Sequence, residues 1–572
     1  MNRSVYHRYR MAFVDALAHA LQCPAAEVDA QVKPADPIHA DLAFATFALA
    51  KSQKKSPALI ASELAKGLSV SGIEVRSSGP YVNARFLPIP FSQEVLDHAR
   101  AEQLAYGHSE RGQGATVVID YSSPNIAKPI AFHHIRSTVI GHCLANLYRC
   151  QGYRVEGINY LGDWGKQFGL VAVGLAESGD PAPKKDMAHL VEVYVQATAR
   201  AERDPVFDQQ ARSFFRSMEQ KNPQALALWQ ELRETSLEDF KKIYQRLGIS
   251  FEHYEGESRY QDKMDAVIDE IAKAVGVKHS EGALIVDMPY AQNEPPVLLR
   301  KNDGSTLYAT RDLAAAIDRY ERFHFERSLY VVATDQALHF RQLFAVLDRM
   351  GKSWAKRCVH VGFGRVHGMS TRKGQVVLLN DVLDEAKNRA LDQVRENQQT
   401  GKIQTDDPDR LAEQIGLGAI VFADLKNRRA TDYTFDWKEI LSFEGHTGPY
   451  LQYAHARAYN ILLKGGGASA PFDAGELTLP EEQSLVRAVA RYPGALDEAI
   501  ENNEPSSIAR YLLELGAAFS RWYTLGNQDR DKRVLLEGNE PLRRARLALT
   551  DAVRVTLAAG LALLGIPTPE RM

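Results

Sequence analysis

Cysteine is scarce in this chain: four residues in 572 (Cys23, Cys143, Cys150, Cys358), none in a C-x-x-C pair. That argues against a zinc knuckle and against a disulfide framework. Neither common glycine-rich phosphate loop occurs, so any nucleotide phosphate must be cradled by other groups. No apolar run reaches membrane-spanning length and no secretory leader opens the chain, which makes the cytosol the expected compartment. Charge of one sign is lacking too, with a net charge of −3. A nucleic-acid surface would therefore be a local basic patch, set by the phosphates contacted and not by total charge. No internal repeat or low-complexity tract stands out.

The most informative stretch is Tyr121-Ser-Ser-Pro-Asn-Ile-Ala-Lys-Pro-Ile-Ala-Phe-His-His-Ile-Arg-Ser137, followed by Leu161-Gly-Asp-Trp-Gly165. Thr116–Tyr121 reads as a buried strand entering a polar, Pro-bounded loop. A helix from His133 to Cys150 follows, then a second strand from Tyr153 to Tyr160. Such a β-loop-α-β unit places the loop at the carboxyl ends of parallel strands, where open α/β sheets bind ligands. The helix amino end offers unpaired N–H groups and a positive dipole end suited to phosphate.

Around this unit, 572 residues suffice for three or four domains. Residues 1–105 read as an α/β module. Its expected elements are helices at 5–22, 42–52 and 57–66, the last with Ser56-Pro57 capping chemistry, and strands at 73–76 and 81–86 about a Gly79-Pro80 turn. Residues 106–445 carry the nucleotide-binding sheet, with a charged helical insertion at about 181–278. The sheet resumes at Ser328–Asp335 and Cys358–Phe363, and a loop follows over His367–Gly374. From about Leu411 the spacing is helical, including 485–500 and 541–564. Residues 446–572 form the third unit, and Gly465–Ala470 reads as a surface loop.

The signature resembles that of class I aminoacyl-tRNA synthetases, specifically the arginyl-tRNA synthetase family. That family reads S-P-N-x-A-K-P-x-H-x-G-H-L-R-S, and this chain keeps Ser123, Pro124, Asn125, Ala127, Lys128, Pro129, His134, Arg136 and Ser137. The resemblance implies a Rossmann-like parallel-sheet catalytic domain with a helical insertion, an α/β N-terminal domain and an all-α anticodon-binding domain. It implies ATP-dependent ligation of L-arginine to tRNA(Arg) through an arginyl-adenylate, with Mg²⁺ accompanying the nucleotide and no protein metal site. A cytoplasmic monomer is the expected form. Such chemistry requires no enzymic nucleophile, only positioning and stabilisation of charge on phosphate oxygens.

Residue by residue, the resemblance implies that His134, at its helix tip, and Lys128 meet the triphosphate. The second signature loop, usually K-M-S-K-S, is here Gly368-Met-Ser-Thr371, so Met369 and Ser370 remain while Arg372 and Lys373 supply the cations. For arginine, Ser123 and Asn125 hold the amino and carboxylate groups, and Gln336 closes the pocket. Tyr308 and Asp312 meet the guanidinium together with Glu257, for which Glu255 is the alternative. Asp163-Trp164 reads equally as an orienting pair and as structural packing. For tRNA the implied contacts are Asn83, whose bland alternative is a turn cap, with Tyr450, Tyr453, Arg457 and Met572. Tyr459 and the arginines 428, 429, 543, 544 and 546 are further candidates for bases and phosphates.

Two positions depart from the family pattern. Ala131 stands where the first His of the "HIGH" signature belongs, and His133 stands where its Gly belongs. Losing one preorganised donor typically costs about 10²–10³ in rate. Three outcomes follow: His133 takes over the missing donor's work, the site is slower but sufficient, or the chain is a paralogue acting as a non-charging tRNA-binding regulator. The first two are preferred, because the acids an abandoned pocket would lose are present.

Overall fold

The computed structural model describes residues 4–36, 39–178, 187–288, 295–302, 308–368, 377–401 and 403–572. In the N-terminal region a helix over Val5–Leu21 packs on a four-stranded antiparallel sheet. Its strands are β1 (Lys33–Pro34), β2 (Leu42–Ala45), β3 (Ile73–Ser78) and β4 (Tyr81–Phe86), in the order β1-β2-β4-β3. Ser56 caps the helix Pro57–Gly67 by accepting from the Leu59 N–H at 3.3 Å, with proline at the first turn as expected. The helix expected over 42–52 is instead β2, a 3₁₀ turn and a one-turn helix, Ala50–Gln53. Leu42 and Phe44 pair with Ala84 and Val82 of β4 and are buried, so cross-strand packing overrides a composition neutral between helix and strand.

Five parallel strands form the central sheet: β5 (Thr116–Asp120), β6 (Arg154–Leu161), β7 (His253–Gly256), β11 (Arg327–Tyr330) and β12 (Cys358–His360), in the order β12-β11-β5-β6-β7. The chain passes from β5 through the helix Ile135–Cys150 to β6 and then β7, and later returns to β11 on the other side of β5. The order therefore switches direction at β5, and the loops leaving β5 and β11 flank a crevice at the carboxyl edge. The helix itself begins at Ile135, behind a 3₁₀ turn over Phe132–His134.

The insertion is shorter than the sequence implied. Helices 187–201, 205–219 and 223–246 belong to it, but β7 returns to the main sheet at His253. Four half-polar residues at a sheet edge carry almost no periodic signal. A small antiparallel sheet of β8 (Lys278–Ser280), β9 (Ala283–Val286) and β10 (Val297–Arg300) follows, in the order β10-β9-β8. A two-residue parallel ladder joins β13 (Val366–His367) to β14 (Tyr433–Thr434) at the base of the second loop. The C-terminal region is helical: the run 485–500 falls in two helices, Pro480–Ala490 and Tyr492–Asn502, while 541–564 lies in one, Glu540–Leu563. Among the described residues no helix is long and apolar enough to cross a membrane.

Candidate functional site

The loop leaving β5 is held in a strained shape. Ser122, Ser123 and Ala127 all have left-handed backbone, with φ of 70°, 50° and 59°. For residues with a Cβ this costs about 1–3 kcal/mol each and persists only where surroundings enforce it. Here they do. The Ser122 N–H donates to Ser137 Oγ at 2.9 Å, the Ser123 N–H to Asn159 Oδ1 at 3.2 Å, and the Ala127 N–H to Ser236 Oγ at 2.9 Å. Asn125 bridges to Gly162, where a Cβ would lie 1.9 Å from the Asn125 side-chain oxygen and would push that amide aside. Ser137 Oγ donates in turn to the Val331 carbonyl at 2.7 Å, fastening the helix tip to the exit of β11.

At that tip the Ala131 N–H donates to His134 Nδ1 at 3.1 Å. Its neighbours Ile130 and Phe132 bond to the strand-like segment 377–379, and the histidine nitrogen is the partner the Ala131 N–H has. Nδ1 lies equally 3.1 Å from the Ala131 carbonyl oxygen, so the tautomer decides whether it accepts from the N–H or donates to the carbonyl. Burial, with His133 and Lys128 adding to it, depresses the His134 pKa to about 4, so the ring is neutral near pH 7. His133 is exposed and its ring lies 4.2 Å from that of His134, tilted by 33°. Lys128 rests its ammonium 4.7 Å above the ring of Tyr194 in the insertion.

The acids converge on the other side of the crevice. Asp120, at the end of β5, accepts from Ser123 Oγ at 2.9 Å and pairs with the buried Arg319 at 2.8 Å. Asp312 accepts from His339 Nε2 at 2.7 Å, and Glu257 pairs with Arg311 at 2.8 Å. Burial raises the Glu257 pKa to about 7; Arg311 opposes the rise, while Asp312 and Asp163 add to it. Asp312 acts on both Asp120 and Glu257, and Ser123 reaches this cluster of acids through its bond to Asp120. Asp120 was missed: a strand-end acid looks like any other until β5, the Ser123 turn and the helix Tyr308–Phe323 are brought together.

Glu255, the alternative to Glu257, is engaged by Arg322 at 2.6 Å and by Tyr260 at 3.1 Å. Asp163 is fully buried and accepts from Arg233 and from the Ser258 N–H and hydroxyl at 2.8–3.0 Å, anchoring the turn that presents Glu257. Trp164 is buried against Phe215 and Trp229, which makes it packing. Tyr308 opens its helix 68% exposed, and Gln336 is exposed in the turn after β11. Met369, Ser370, Arg372 and Lys373 lie outside the described residues. The base of their loop is tied to the imidazole helix: buried Arg136 pairs with buried Asp424 at 3.1 Å and donates to the Thr431 carbonyl at 3.0 Å, and Tyr433 donates to Asp424 at 3.1 Å.

In the C-terminal region Arg457 lies between the rings of Tyr453 (4.6 Å) and Tyr523 (4.9 Å). Cavities of about 480 and 460 Å³ open on either side, the first lined by Tyr450 and Phe443, the second by Asn460 and Met572. Met572 is itself 6% exposed. Arg546 is buried against Glu482 at 2.7 Å, and Arg429 donates to the Gly362 and Asn503 carbonyls. Both are structural, which corrects the reading of them as phosphate contacts. Arg543 and Arg544 share Glu540, and Tyr459 is held by Glu570. Asn83 sits in mid-strand opposite Ala43 and Arg76, so it caps no turn; Tyr81 and Arg85 share its outer face.

Three family descriptions match the chain: "Arginyl tRNA synthetase N terminal domain" over residues 7–86, "tRNA synthetases class I (R), catalytic domain" over 95–437 and "DALR anticodon binding domain" over 451–572. The chain is 41% identical over 541 residues to the arginine–tRNA ligase of Alkaliphilus metalliredigens, covering 93% of this chain and 94% of that one. It is 39% identical over 548 residues to that of Halothermothrix orenii, covering 94% and 95%. Among solved structures it is similar to the arginyl-tRNA synthetase of Thermus thermophilus, with a TM-score of 0.83, 25% identity, and coverage of 98% and 100%.

Proposed function

Because the chain belongs to the arginyl-tRNA synthetase family of class I enzymes and charges tRNA(Arg) with arginine, we propose that arginyl-adenylate forms in the crevice at the carboxyl ends of β5, β6 and β11. The observation that carries this placement is the convergence on one loop of a helix-tip imidazole and a cluster of acids. Ser123 and Asn125 hold the amino and carboxylate groups of arginine. Asp312, Glu257 and Tyr308 receive the guanidinium, whose planar fork of donors matches carboxylates, and Gln336 closes the pocket. The arginine carboxylate then attacks the α-phosphate of ATP and pyrophosphate leaves. The terminal ribose hydroxyl of the tRNA next takes the arginyl group and AMP is released.

His134, neutral near pH 7, donates to a phosphate oxygen from its Nε2–H tautomer, without first having to gain a proton. His133 supplies the donor that Ala131 lacks. Lys128, Arg372 and Lys373 neutralise the triphosphate, with Met369 and Ser370 closing over the nucleotide. Mg²⁺ accompanying ATP would supply further charge neutralisation at its phosphates, beside Lys128, Arg372 and Lys373. Tyr453 and Arg457, with Tyr450 and Met572 lining the flanking cavities, offer stacking surfaces to unpaired anticodon bases. Asn83 on the outer face of β4 meets the outer corner of the tRNA. The working form is a cytoplasmic monomer.

The test is pyrophosphate exchange with arginine, in the presence and absence of tRNA(Arg), with lysine and citrulline as controls. Arginine-dependent exchange is expected, and equal exchange with citrulline would remove the guanidinium pocket. A His133→Ala protein should lose about 10²-fold in kcat; a variant as fast as its parent would take His133 out of the mechanism.

A further inference from the structure

Asp312 lies in the opening turns of the helix Tyr308–Phe323, and His339 lies in the first turn of the helix Ala337–Arg349, three residues beyond Gln336. The two side chains meet with His339 Nε2 2.7 Å from Asp312 Oδ2. Each is 24% exposed, so the pair stands open to solvent and a ligand can reach it. With Asp312 ionised, Oδ2 can only accept, and the proton of the bond lies on Nε2. Among the described residues Oδ1 carries no hydrogen bond.

A staple between two helices would be the ordinary use of such a bond, but these helices do not need one. Leu313, Ala316 and Ile317 of the first are buried in one core cluster with Phe340, Leu343 and Leu347 of the second. A partly exposed pair adds little to that packing. What the bond does fix is a rotor. The last torsion of an Asp side chain is broad and roughly two-fold, so a ligand that reads a free carboxylate must first halt it. With Oδ2 held, Oδ1 has a set direction. Arg311, the residue before Asp312, treats Glu257 likewise: its Nη1 donates to Oε2 at 2.8 Å and leaves Oε1. Two acids that each offer one oxygen suit a planar fork whose N–H donors sit on different nitrogens. We propose that His339 is a positioning residue for arginine, its Nε2–H holding Asp312 Oδ2 so that Oδ1 is presented to the guanidinium, an inference that rests on assigning this crevice to arginine. The same bond ties the acid to the turn that bears Gln336.

The test is His339→Ala, assayed by pyrophosphate exchange with tRNA(Arg) present. Arginine KM should rise about fivefold, the usual cost of ordering one free side chain, while ATP KM and kcat stay within about twofold. His339→Gln, whose amide N–H reaches about as far as Nε2–H, should recover most of that loss. The double variant decides between roles. On an Asp312→Ala background, His339→Ala should alter arginine KM by less than about twofold, because the imidazole then has no carboxylate to hold. A further rise of about fivefold on that background overturns the proposal, as does an unchanged arginine KM in His339→Ala alone. So does a His339→Ala protein that fails to fold, or one whose ATP KM rises equally, since either marks a structural role. If Asp312→Ala itself leaves arginine KM unchanged, the assignment of the crevice falls; if only His339→Ala does, this inference alone falls.

Discussion

The two ends of the crevice are built on opposite plans. At the amino-acid end every acid already holds an internal partner: Asp312 with His339 at 2.7 Å, Glu257 with Arg311 at 2.8 Å, Asp120 with Arg319 at 2.8 Å. At the triphosphate end His134 is fixed by a backbone N–H and Lys128 rests on an aromatic ring. An entering arginine must therefore match the geometry of acids that are already partnered, which rewards shape over charge alone. An entering triphosphate meets donors whose present partners are weak. The first plan suits selectivity, the second suits rate.

The largest effects should divide along that line. His134→Ala removes a preorganised donor and should lower kcat by about 10²–10³ with little change in arginine KM. Asp312→Asn removes a charge-assisted partner worth about 1.5–3 kcal/mol, so arginine KM should rise roughly 10- to 150-fold while ATP KM moves little. Steady-state kinetics with each substrate varied in turn decides both. If the two variants impaired the same parameter equally, the division between the two ends would not hold.

The unequal legibility of the two ends in the sequence has the same origin. The imidazole and Lys128 lie within one contiguous signature, because a helix tip is local structure. The acids come from three distant segments, and their partners Arg311, Arg319 and His339 gain meaning only once the strands align. Asp120 escaped notice for that reason. The parallel β-loop-α-β unit was readable from two apolar runs about a helix, whereas β2 was not: Leu-Ala-Phe-Ala suits either state, and its pairing with β4 decided the outcome. Arg546 looked like a phosphate contact because burial of a long cation depends on Glu482, 64 positions away.

A pH series probes the amino-acid end more finely. Glu257 keeps its proton to about pH 7 against a usual value of 4.5, and only its ionised form attracts a guanidinium. Arginine KM should thus fall by about ninefold between pH 6 and pH 8, as the ionised fraction rises from about a tenth to about nine-tenths. Stability runs the other way. The raised folded-state pKa stabilises the protein fully below about pH 4.5, and that contribution is lost as pH rises through about 7, because the unfolded chain binds fewer protons in that window. Glu257→Gln should flatten both slopes. His134, with its pKa near 4, should add no step in this range.

The smallest effect tests the other end. Lys128 sits 4.7 Å over the Tyr194 ring, in an insertion helix that supplies no other part of the proposed pocket. A cation–π contact at a partly exposed site is worth about 0.5–1 kcal/mol, so leaving it for a phosphate should hinder ATP binding by about two- to fivefold. Tyr194→Ala removes that hold without touching the crevice. ATP KM should then fall by the same two- to fivefold, arginine KM should stay unchanged, and Lys128→Ala should abolish the gain. If Tyr194→Ala instead raised ATP KM, the ring would be positioning Lys128 for phosphate and not retaining it, and the triphosphate end would prove as preorganised as the amino-acid end.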